Sequence, residues 1–95
     1  MYEVSRSDRQ GKKWQVETPS GKTVHFGASG YQDYTQHKDE GRKSNYLSRH
    51  GGGKENWRDK ESAGYWARWL LWEKPSVSAA ARALRQKGVN VRVKK

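Results

Sequence analysis

The sequence predicts an α+β domain: a small antiparallel sheet, made of an N-terminal meander plus a C-terminal strand, packed on two or three helices of which the central one is Trp-rich. Three observations carry that expectation. Apolar and polar residues alternate over 2–26 and again over 89–93, helical periodicity fills the middle, and Gly, Pro and Ser cluster at the joints. At 95 residues the chain is expected to be one domain, 1–95, able to withdraw only about 60–65% of its unfolded surface from water.

The meander comes first. Tyr2, Val4 and Arg6 alternate with Glu3 and Ser5, then Trp14, Val16 and Thr18 with Lys13, Gln15 and Glu17, then Val24 and Phe26 with Thr23 and His25. Each run offers one apolar face. Asp8 to Gly11 and Pro19-Ser20-Gly21 are turn sequences, because Pro fixes φ and Gly accepts positive φ, so antiparallel hairpins are the natural connection. The small residues Gly27 to Gly30 end the third strand and point to a tight bend or a close backbone approach.

Helical periodicity then predicts a helix capped by Thr35 and running to about His50, with Asp39 and Glu40 near its positive end and Arg49 and His50 near its negative end. Gly51, Gly52 and Gly53 stop it, and the polar segment Lys54 to Lys60 reads as a loop that pins Trp57 against the body. From about Glu61 to Glu73 a second helix is apolar nearly all round, through Tyr65, Trp66, Trp69, Leu70, Leu71 and Trp72, and should be the most buried element. Pro75 closes it. Ser76 caps a third helix to about Lys87, with Val77, Ala80, Ala81 and Leu84 as its apolar stripe and Gly88 as its stop. Val89, Val91 and Val93 predict the last strand.

Composition narrows the function. Twenty Lys and Arg against ten Asp and Glu give a formal charge of +10, which favours a polyanionic partner over an acidic small molecule. There is no Cys, which excludes disulfides and thiolate metal sites. Met1 is not followed by an apolar signal region, and no run approaches the roughly 18 apolar residues of a membrane span.

Five Trp, five Tyr and one Phe must do the work of aliphatics in so hydrophilic a chain. A base stacked on an exposed ring contributes about 1–3 kcal/mol, but the rings of Tyr65 to Trp72 adjoin on one helix, so they read as core. Tyr46 and Trp57 are the candidate exposed rings. The candidate phosphate contacts are His37, Lys38, Arg42, Lys43, Arg49 and His50, with Lys54 and Arg58 after the glycines, partly offset by Asp39, Glu40, Glu55 and Asp59. No helix-turn-helix, zinc-finger or RNP signature accompanies them, so base-specific readout is not expected.

An enzyme is the third reading. His25, His37 and His50 with Asp33, Asp39, Asn56 and Asp59 invite a metal-dependent nuclease, yet no spacing matches a ligand signature such as HExxH. GASG at 27–30 follows a strand without the Lys-Ser/Thr pair of a phosphate loop. No catalytic residue, metal site or cofactor is expected.

The words VHFGASGYQDYTQHKD at 24–39, RK at 42–43, YLSRH at 46–50, ENW at 55–57 and AGYWARWLLWEKPS at 63–76 resemble an uncharacterised family of short basic proteins encoded by large eukaryotic DNA viruses and tailed phages. The resemblance implies a viral or phage source, and nominates His25, Tyr31, Asp33, Tyr34, His37, Lys38, Asp39, Arg49 and His50 as a shared polar surface, either a ligand site or an internal hydrogen-bond network. The expected function is nonspecific nucleic-acid binding, DNA or RNA, through phosphates, as a genome-associated virion component. The alternative is a structural or cementing virion protein that meets acidic surfaces of capsid or other virion proteins. Its place is then the virion or the host-cell interior, cytoplasm or nucleus, neither secreted nor in a membrane.

Overall fold

A computed structural model of the chain describes residues 1–51 and 57–94. Four strands, β1 (Tyr2–Arg6), β2 (Lys12–Glu17), β3 (Thr23–Ala28) and β4 (Val91–Val93), form one sheet in the order β3-β2-β1-β4. The α+β class holds. β1, β2 and β3 are the expected antiparallel meander, but β4 joins β1 in parallel, with Val4 opposite Val93, so the sheet is mixed. Alternation specifies which residues face the core and leaves strand direction open, and here the helical segment carries the chain from the end where β3 finishes back to the end where β1 begins.

Register places Val4, Val16 and Val24 in one cross-strand row and Trp14 beside Phe26. All five are buried, together with Val91. The other face carries Glu3, Ser5, Gln15, Glu17, Thr23 and His25, none of them buried, so one face of the sheet is left for the helices to cover.

The helix expected from Thr35 to His50 is two helices, α1 (Tyr34–His37) and α2 (Glu40–His50). Lys38 sits between them at φ 56°, a left-handed conformation uncommon for a residue with a Cβ. Each helix has its own aspartate cap: Asp33 accepts from the Thr35 N–H, and Asp39 from those of Gly41 and Arg42. With the first amides of both helices satisfied, the break at Lys38 costs few hydrogen bonds.

The Trp-rich helix also departs from regularity. Capped by Ser62, α3 (Ala63–Trp66) continues into a wider π turn over Ala67–Leu71 and stops at Trp72. In a regular helix Leu70 and Leu71 would diverge by about 100°; here both are buried together with Trp66. Trp69 and Trp72 flank them, partly buried. α4 (Val77–Gln86), capped by Ser76, adds Ala80, Ala81 and Leu84 to the same core, and Gly88 ends the segment at φ 94°. Gly27 marks the predicted close approach: at φ 80°, a Cβ there would lie 2.8 Å from Leu71 Cδ1.

Trp57 is held as expected, though through its backbone, since its carbonyl accepts from Trp69 Nε1 at 2.8 Å. Arg68 is placed 4.2 Å from the Trp69 ring centroid and 5.3 Å from that of Trp57, and pairs with Glu73 at 2.7 Å. Burial pushes the Glu73 carboxyl up, but the Arg68 hydrogen bond and the charges of Arg68, Lys43 and Lys74 outweigh it and hold the group below its ordinary 4.5. A lowered native pKa stabilises where the carboxyl is ionised and ceases to do so as pH falls through the native value. Glu73→Gln is therefore expected to cost about 1 kcal/mol near pH 7, discounted from the buried-pair range because both groups keep some solvent contact. That deficit should shrink as pH falls through the lowered native pKa of Glu73; urea unfolding at neutral pH and in acid measures it, and a deficit that does not diminish as the pH is lowered would contradict the pairing.

Candidate nucleic-acid interface

A concave surface of about 850 Å³ opens between α2, the loop after β3, the start of β2 and the π turn. α2 supplies one wall because Arg42, Asn45, Tyr46 and Arg49 recur at three- and four-residue spacing, which puts them on one helix face. Lys12 and Lys13 enter from β2. Tyr31 stands in the loop between, and Ala67, Leu71 and Trp72 form the apolar base.

Electrostatically the surface is one-sided. Asp33 is its single lining carboxylate among the described residues, and it is already committed to Lys13 Nζ at 2.8 Å. Lys12, Arg42 and Arg49 are exposed and form no ion pair with any described residue. Arginine suits this place, because its fork of donors matches phosphate oxygens.

The predicted contact residues divide. Arg42, Arg49 and His50 line the groove, and Tyr46 does too, but not as an exposed ring. Tyr46 is 6% exposed, stacked on Trp72 at 4.2 Å with the planes 3° apart and on His50 at 4.5 Å. It anchors α2 to the body, because the ring of Trp72 supplies the apolar surface that α2 itself lacks. The other residues turn elsewhere. Lys43 donates to the Glu73 carbonyl at 2.9 Å and lies over the Tyr34 ring. His37 is half-buried between Tyr34 and Trp72, its Nδ1 accepting from the Asp39 N–H at 2.9 Å. Lys38 is exposed beyond the groove, Arg58 is exposed, and Trp57 is half-buried. Lys54 falls outside the described residues.

The nominated polar surface is for the most part an internal network. Asp33 is buried and caps α1, Gln36 accepts from the Asp33 N–H and from Lys13, and the Tyr34 hydroxyl donates to Glu40. The hydrogen bond to Glu40, helped by burial and by the Glu40 charge, pushes the Tyr34 hydroxyl pKa up. His25 bonds Ser7 on the polar face of the sheet at 2.8 Å, apart from the groove. Among the described residues no three His, Asp or Glu side chains lie close enough to hold a metal ion, and no helix is long and apolar enough to cross a membrane.

Tyr31, nominated by the resemblance, lies at the groove, whereas Lys12 and Lys13 were not among the predicted contacts. The dipeptide Lys12-Lys13 directly after a turn is a legible signal, masked by the apolar alternation of the strand that carries it.

A profile of DUF5754, a family of unknown function, matches residues 2–50, about half of the chain. The chain belongs to this family. Every lining cation of the groove, and Tyr31, fall within the DUF5754 match, whereas the apolar base on the π turn lies outside it. No curated protein and no solved structure matches the chain.

Proposed function

We propose that this protein binds nucleic acid through its phosphates, without strong sequence preference, in the groove between α2 and the β2–β3 end of the sheet. The observation that carries the reading is the set Lys12, Arg42 and Arg49: three cations without ion-pair partners among the described residues, converging on one concavity where Asp33, the one acid that those residues contribute to its lining, is already paired. Phosphate contacts of this kind dominate nonspecific affinity. The resemblance noted from the sequence extends the proposal to a genome-associated component of a virion.

Salt dependence tests it. With about three phosphates engaged, log affinity for a labelled oligonucleotide should fall linearly with log salt at a slope of about −2 to −3. Replacing Arg42 or Arg49 by Ala should make that slope shallower by about 1 for each contact removed. If no oligonucleotide binds at low salt, the reading falls and the alternative, an acidic protein surface within a virion, takes its place.

A further inference from the structure

Building on the phosphate-binding reading, we infer that the ligand of the groove is a single strand of nucleic acid, one of whose bases stacks on Tyr31. Among the described residues Tyr31 is the one aromatic side chain left open to solvent, at 77% exposure, in a molecule that packs its other described rings at least partly against itself. No ring or cation of the described residues covers it. Its backbone is nevertheless fixed. The Tyr31 N–H donates to the Ala28 carbonyl at 3.3 Å, and two residues later Asp33 is tied to Lys13. The ring is thus presented at the lip of the groove by an anchored loop, which lowers the ordering cost of stacking on it.

The rest of the groove fits the same ligand. Its cations stand on two sides, Lys12 on the sheet and Arg42 and Arg49 on α2, with the buried Leu71 and the half-buried Trp72 behind them. A duplex carries phosphates outward and hides its base faces in the stack, so it can meet the cations but cannot place a base on Tyr31. A single strand offers both, a phosphate edge and open π-faces, and such stacking tolerates any base. DNA and RNA share this chemistry.

The test is fluorescence anisotropy at low salt with labelled oligo(dT), oligo(rU) and a duplex of equal length, on the full chain and on Tyr31→Ala and Tyr31→Phe. Tyr31→Ala is expected to weaken single-strand binding about 5- to 150-fold, the range for one lost base stack, with duplex binding unchanged. Tyr31→Phe, which keeps the ring, should bind as the parent does. The exposed position leaves folding intact, which circular dichroism verifies. The dT and rU arms show whether the sugar matters. Duplex binding as tight as single-strand binding, or salt-dependent single-strand binding indifferent to Tyr31→Ala, overturns this inference and leaves the phosphate reading standing. Absence of binding to all three probes removes both.

Discussion

Trp66→Ala is expected to lower the unfolding free energy by about 3–5 kcal/mol, the range for truncating a fully buried aromatic. Trp66 is completely shielded from water. Its ring meets those of Tyr2 at 5.4 Å, Tyr65 at 5.1 Å and Phe26 at 6.3 Å, joining the sheet to the helical layer. Its Nε1 also donates to the Lys60 carbonyl at 2.8 Å, so truncation removes a hydrogen bond as well as filling volume. Against a total of about 5–15 kcal/mol for a domain, the loss is a large share, and the melting temperature should drop by roughly 15–30 °C. Thermal and urea unfolding check this, with Trp66→Phe expected to retain part of the loss. A cost under about 1 kcal/mol would mean that the sheet and helices do not meet on this ring.

Asp33→Ala is expected to cost about 3 kcal/mol, by removing one partner of a buried ion pair together with a helix cap. The carboxylate holds Lys13 Nζ at 2.8 Å, both side chains nearly shielded, and its other oxygen accepts from the Thr35 N–H and hydroxyl. Asp33→Asn keeps a cap acceptor and should lose less. The same substitution removes the one lining carboxylate of the groove among the described residues, so the folded Asn variant should bind oligonucleotide more tightly at low salt. Urea unfolding and anisotropy on one sample separate the two effects. Equal stability of Asp33→Ala and the parent would show that Lys13 does not depend on its partner.

Much of the fold was legible because each element announces itself locally. The valines of β1 to β3 alternate, Ser76 and Gly88 bracket α4, and the small residues at Gly27 do mark a close approach. The break at Lys38 had a signal, the Asp33 to Gln36 capping-box spacing, but in the sequence Asp39 serves equally as a favourable charge near a helix start and as a second cap. The π turn had none, since the choice to bury Leu70 and Leu71 together depends on the sheet below them. Tyr46 illustrates the limit for the site. In a polar helix its ring looks exposed, and only Trp72, far along the sequence, decides otherwise. The cations of α2 were visible as a cluster, while their division between groove and body depended on helix rotation that charge alone does not specify.

The parallel seam between β1 and β4 has a kinetic meaning. The β2–β3 hairpin closes over a few residues, as Thr23 meets Glu17, and can form by local diffusion. Val4 meets Val93 only after the intervening strands and helices have brought both to one edge, a loop closure whose entropy falls due before its contacts offset it. Assembly of the sheet is therefore expected to run from β3 toward β4, leaving one edge of the first strand open until the last seam closes.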